Sequence, residues 1–219
     1  MIKGIVSDLD GTITDSINAL ASAWHMALVQ TGAKVNYLEV MDTLKGINGL
    51  SLRELSEKHI VNMDEDAYIN ILELRKDFAK KRLSKKLIFP DAEKVLAELR
   101  SRKIKIGIAT SLSKDLLESV KEVNQLDRFA DVILSADEVM KNKPEPDVFM
   151  ECFKRLGVEP KEGIIIGDTA NDIIPANAIG SFSVLISRDG EKTANCKPDF
   201  VVHDFGPLPG IVDKLNKKA

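Results

Sequence analysis

The chain has 219 residues, 44% hydrophobic and 30% charged, with a formal net charge of −3 at pH 7. That length suits one large domain or two small ones with a real core. The weakly acidic balance excludes the basic stripe of a nucleic-acid-binding surface, and no run approaches the ~18 apolar residues of a membrane span. Asp8 and Asp10 interrupt any N-terminal signal pattern, and the two cysteines, Cys152 and Cys196, have no metal or redox spacing. A cytoplasmic protein with reduced thiols is expected, without a nucleic-acid or membrane partner.

Residues 1–6 are an apolar run that reads as a short buried strand. The pattern then turns helical: Ile17, Leu20, Ala21, Trp24, Ala27 and Leu28 recur at helical spacing until Gly32. Further helices are expected over 37–44, 51–59 and 66–83, the last with Ala67, Ile71, Leu74 and Phe78 on one face. From Pro90 the texture alternates. Helices open at Pro90, Lys114, Pro146, after Asp168 and near Leu208, and strands fall at 104–109, 131–134, 163–166, 183–186 and 200–202. Strand–helix alternation gives right-handed crossovers and an α/β fold: a mostly parallel sheet with helices on both faces. The first strand must join a sheet whose remainder lies beyond residue 100. The expected domains are therefore a core of 1–14 and 87–219 and an inserted α-helical cap of 15–86.

Chemistry concentrates at the strand ends, where ligands bind in such sheets. Asp8-Leu9-Asp10-Gly11-Thr12 launches two carboxylates from the first strand. One can attack phosphorus while the other handles the proton. The plainer reading is an Asp/Gly turn with a helix cap. Thr110-Ser111 ends the 104–109 strand, where a hydroxyl and an N–H can hold a phosphate oxygen or merely cap a helix. Lys143-Pro144-Glu145-Pro146-Asp147 fixes a lysine ahead of a proline turn, able to offset charge on a carboxylate and a phosphate. Lys141 is a rival without the proline context. Gly167-Asp168-Thr169, with Asp172 in the next helical turn, can complete an oxygen-only Mg²⁺ site, although Thr169 as N-cap with Asp172 on the helix dipole would look the same. Pro175 lies so early in that helix that a late start or a bend is expected.

Together the four segments resemble the motifs of the haloacid dehalogenase superfamily, in the family's order and with room for a helical cap between the first and second. The resemblance implies a Rossmann-like core, its parallel sheet with helices on both faces, and a small helical cap of the type shared by phosphoglycolate phosphatases and β-phosphoglucomutase. It implies Asp8 as a nucleophile forming an aspartyl-phosphate. Asp10 would be the acid/base and give Mg²⁺ its backbone carbonyl. Asp168 would ligate the metal directly, Asp172 through water or from behind, and Thr110, Ser111 and Lys143 would hold the phosphoryl group. The substrate would be a small phosphorylated metabolite, met in the cap by Lys45, Asn48 and Arg53.

A phosphomutase is the main enzymatic alternative, since Leu44-Lys45-Gly46 and Trp24 are similar to the mutase cap. Leu20 and Gly49, however, stand where mutases usually carry a histidine and a phosphate-binding arginine. A receiver-like signalling module also combines Asp, Thr, Lys and acidic ligands, but the helical insertion and the Gly-Thr after Asp10 disfavour it. Physiological substrate and oligomeric state are left open.

Overall fold

A four-residue strand whose every side chain is buried needs neighbours on both edges and cover on both faces. The run Gly4–Ser7 (β1) has both in the computed structural model, which describes residues 1–48, 50–188, 190 and 196–218. It pairs in parallel with Lys105–Ala109 (β2) on one side and Gly163–Gly167 (β4) on the other. Val132–Leu134 (β3) lies beyond β2, and Phe182–Ile186 (β5) and Phe200–Val202 (β6) beyond β4. The order is β3-β2-β1-β4-β5-β6, with every pair parallel.

Register shows how the faces are filled. Val6 aligns with Gly107 and Ile165 and belongs to a core cluster with Phe149, Cys152, Phe153 and Ala176. Those residues come from the helices Asp147–Leu156 and Ala170–Ala178. One step along, Ile5 aligns with Ile106 and Ile164, and all three are fully buried, so the opposite face is covered too. The helix Pro90–Ser101 packs on β2 and on the C-terminal helix Leu208–Lys218.

The chain divides into two compact units, Met1–Asp15 with Ile88–Ala219, and Ser16–Leu87. The second is entirely helical among its described residues: Ile17–Gln30 (α1), Tyr37–Leu44 (α2), Leu52–His59 (α3) and Glu65–Leu83 (α4). Caps set these boundaries. The side chains of Asn36, Ser51 and Asp64 accept the N–H groups of Glu39, Glu54 and Ala67, and Glu54 returns a bond to Ser51 N–H. Trp24, Leu28, Val40, Leu55 and Ile71 form the unit's own core. In chain order the later helices are α5 (Pro90–Ser101), α6 (Lys114–Asn124), α7 (Asp147–Leu156), α8 (Ala170–Ala178) and α9 (Leu208–Lys218). No helix among the described residues is long and apolar enough to cross a membrane.

At α8 one of the two outcomes expected from Pro175 does not occur. The helix begins directly after Thr169 and runs through Pro175 without a late start. The Asp172 carboxylate accepts from Thr169 N–H and Oγ1–H at 3.3 and 3.0 Å, which secures the first turn upstream of the proline.

Candidate active site

The site is assembled by strand ends. Asp8 follows β1, and its own N–H donates to Ile166 O at 2.8 Å, so the sheet hydrogen bonding runs on into this residue. Thr110 follows β2 and donates its N–H to Leu134 O at 3.1 Å. Asp168 follows β4. Because β1 lies between β2 and β4, Asp8 is flanked by the other two tips.

Lys143 arrives from the loop after β3. Its side chain is only 4% exposed, and its ammonium donates to Asp8 Oδ1 at 2.6 Å, to Asp172 Oδ1 at 2.8 Å and to Ala109 O at 2.9 Å. All three ammonium protons therefore have acceptors, and the Phe149 ring lies 4.8 Å below. Lys141, its rival in the sequence, is exposed. Burial by itself would pull the Lys143 pKa down, but the Asp172 and Asp8 charges outweigh it and hold the ammonium above the ordinary lysine value.

The carboxylates are crowded. Carboxylate oxygens of Asp8, Asp168 and Asp172 lie within 4.8 Å of one another. Three carboxylates against one ammonium leave two negative charges when all are ionised. Burial raises the Asp8 pKa to about 7, Lys143 opposes the rise, and Asp172 and Asp10 add to it. Burial, then the Asp8 and Asp172 charges, also raise Asp168 well above the carboxylate range. Hard oxygen donors around an uncompensated double negative charge fit a divalent cation such as Mg²⁺.

Asp10 lies to the side of this cluster. Its Oδ2 accepts from Thr110 Oγ1–H at 3.1 Å, while Thr110 Oγ1 accepts from Leu112 N–H at 3.1 Å. Thr110, expected at a phosphoryl oxygen, thus directs its one hydroxyl proton at Asp10. Ser111 is exposed and donates to Asn142 Oδ1 at 3.3 Å, an oxygen that also accepts Lys143 N–H. In the helical unit Asn48 bonds Thr43 Oγ1 and accepts from Leu50 N–H. Arg53 pairs with Glu57 and Glu65 and lies over Tyr68, and Lys45 caps the end of α2. Gly49 is outside the described residues.

Two motif residues contribute in ways that sequence reasoning did not assign. Thr12 is fully buried, and its hydroxyl donates to Asp168 Oδ1 at 3.4 Å. Gly167 has no room for a side chain, because a Cβ there would overlap the Asp172 carboxyl group. The sequence signal for both was their place in the motifs, Thr12 two residues after Asp10 and Gly167 directly before Asp168.

A parallel α/β sheet with an acidic, lysine-bridged centre at its carboxyl edge and a helical insertion after the first strand defines a class of hydrolase. The chain belongs to that class by descent: residues 5–186 match the model of the haloacid dehalogenase-like hydrolase family. It is 27% identical to the phosphoglycolate phosphatase of Escherichia coli (strain K12) over 244 residues, covering 100% of this chain and 96% of the relative. The phosphoglycolate phosphatase of Aquifex aeolicus (strain VF5) is 26% identical, with 97% of each chain covered. Among solved structures, β-phosphoglucomutase from Clostridium difficile superposes with a TM-score of 0.83 at 26% identity, covering 100% of this chain and 99% of the other.

Proposed function

We propose that this hydrolase is a Mg²⁺-dependent phosphatase that cleaves a small phosphate monoester through an aspartyl-phosphate on Asp8, in the manner of a phosphoglycolate phosphatase. The observation that carries the reading is the Lys143 ammonium held between Asp8 and Asp172 in a buried, doubly negative centre. A carboxylate so placed is fixed in direction, and the lysine can share its charge with an incoming phosphoryl oxygen.

In the first step an Asp8 oxygen bonds to phosphorus and the bond to the leaving alcohol breaks, the alcohol oxygen taking a proton from Asp10. In the second, Asp10 accepts a proton from water, the water oxygen attacks phosphorus, and the bond to Asp8 breaks to release inorganic phosphate. Thr110, Ser111 and Lys143 receive the phosphoryl oxygens. Thr110 does so by turning its hydroxyl from Asp10, which leaves that carboxyl group facing the leaving oxygen. Asp8, Asp168 and the Asp10 carbonyl, with Asp172 behind them, would hold Mg²⁺, which supplies positive charge against the phosphoryl oxygens.

The unit Ser16–Leu87 is assigned as the cap that selects the substrate, with Lys45, Asn48 and Arg53 as its contact residues. Asn48 and Arg53 would exchange their present partners to do so. The enzyme's proposed setting is the cytoplasm.

The test is release of inorganic phosphate from p-nitrophenyl phosphate with and without Mg²⁺, followed by a panel of phosphoglycolate, sugar phosphates, nucleotides and pyrophosphate. Turnover that survives EDTA undiminished would refute the metal assignment. The likeness to β-phosphoglucomutase favours a second reading, so β-glucose 1-phosphate with a bisphosphate primer belongs in the panel. We expect hydrolysis to win, because α1 carries buried Leu20 where a mutase usually has a polar group. Glucose 6-phosphate formed faster than phosphate would establish the mutase.

A further inference from the structure

We propose that Arg188, in the loop after β5, is a positioning residue for the reaction. It holds the turn Asp10-Gly11-Thr12 against Asp168 by way of the Thr12 carbonyl. The inference rests on the phosphatase reading for its kinetic part.

The guanidinium makes a two-pronged pair with Asp91, Nη1 to Oδ1 at 3.2 Å and Nη2 to Oδ2 at 3.1 Å. The same Nη2 donates to Thr12 O at 3.0 Å, and the guanidinium carbon lies 3.5 Å from the centre of the Phe89 ring. Asp91 is itself anchored from the far side, because its Oδ2 accepts Phe205 N–H at 3.0 Å. The turn after β1 and the start of α5 therefore meet at the guanidinium, and the loop before α9 joins them through Asp91.

The turn has bonds of its own, and Arg188 adds a brace from outside it. Leu9 O accepts from Ile13 N–H, Thr14 N–H and Thr14 Oγ1–H, and Gly11 N–H donates to Thr14 O at 2.8 Å. Gly11 sits at φ 81° without a side chain to pack. Thr12 is the residue whose hydroxyl reaches Asp168 and whose carbonyl reaches Arg188. Without the Arg188 bond the Thr12 carbonyl loses its partner outside the turn, the Thr12–Ile13 peptide is left with its N–H bond to Leu9 O, and on this proposal the turn bearing Asp10 loosens against Asp168. A rigid fork stacked on a ring holds two acceptors at once, which a flexible, single-point lysine does not.

A purely structural staple between loops makes a different prediction. It would lower thermal stability in Arg188→Ala and leave kcat unchanged wherever the protein is folded, and Arg188→Lys would recover stability with kcat again unchanged. The positioning role predicts a kcat on p-nitrophenyl phosphate about 10- to 100-fold lower in both variants, with KM changed less than about 3-fold, at a temperature where circular dichroism shows each folded. It also predicts faster hydrogen exchange in the peptide spanning residues 9–14, with β2 and β4 unchanged. Parent-like exchange in that peptide, or parent-like kcat in Arg188→Lys, overturns the proposal. An inactive parent enzyme refutes the phosphatase reading instead, and the exchange data alone then decide whether Arg188 holds the turn.

Discussion

Lys143 sets the electrostatics of the site, since it is the cation bonded to both Asp8 and Asp172. Removing one partner of a buried ion pair typically costs on the order of 3–5 kcal/mol, because a charge is left without compensation. Here the carboxyl groups have an escape, which is to take up protons. Lys143→Met is therefore expected to abolish turnover and to lower Tm more at pH 8 than at pH 5.5, as calorimetry in EDTA can measure. The sign follows from Asp8, whose folded pKa of about 7 lies above an unfolded value of about 3.9. Between those values the unfolded chain has released a proton that the folded one keeps, so the stability this group contributes is full below the unfolded value and is lost as pH rises towards 7. The parent in EDTA should accordingly lose stability from pH 5 to pH 8, and added Mg²⁺ should raise Tm more at pH 8. A parent Tm that climbs over that window without metal would contradict the charge crowding described.

At the level of elements, the strand tips were legible because an apolar run followed by Asp, Thr or Gly-Asp is a local pattern, and parallel sheets bring such tips to one edge. Helix limits moved by a residue or two where caps decided them, as when Asp64 began α4 at Glu65. The interactions between tips were not legible. Thr12 with Asp168 spans 156 residues, Thr110 with Asp10 spans 100, and Arg188 with Asp91 spans 97. No periodicity encodes which side chains meet over such distances. Gly167 shows the same limit: its neighbour Asp168 drew notice as a candidate ligand, while the glycine matters because α8 brings Asp172 back against β4. Gly167→Ala should push the Asp172 carboxylate off Lys143 and Thr169. The expected loss in kcat is about 100-fold, the scale of a displacement near 1 Å, with the sheet retained by circular dichroism. An alanine variant with parent kinetics would show that Asp172 need not sit where it does.

Across the whole molecule, the order β3-β2-β1-β4-β5-β6 places the strand bearing Asp8 in the middle of the sheet. Lysine and acidic partners can then approach from both sides, while the helical unit leaves the chain after Asp15 and returns before Ile88. Sequence alternation predicted this architecture because one lone strand before a helical block has to pair with strands beyond it. The same topology makes Asp8 the one group on which the proposed chemistry turns. The direct measurement is a rapid-quench reaction with a labelled phosphate ester in Mg²⁺, comparing the parent with Asp8→Asn. The account predicts an acid-stable, hydroxylamine-labile phosphoryl group on the parent, mapped by mass spectrometry to the peptide containing Asp8, and none on the folded variant. Label found on another residue, or appreciable turnover by pure Asp8→Asn enzyme, would contradict it.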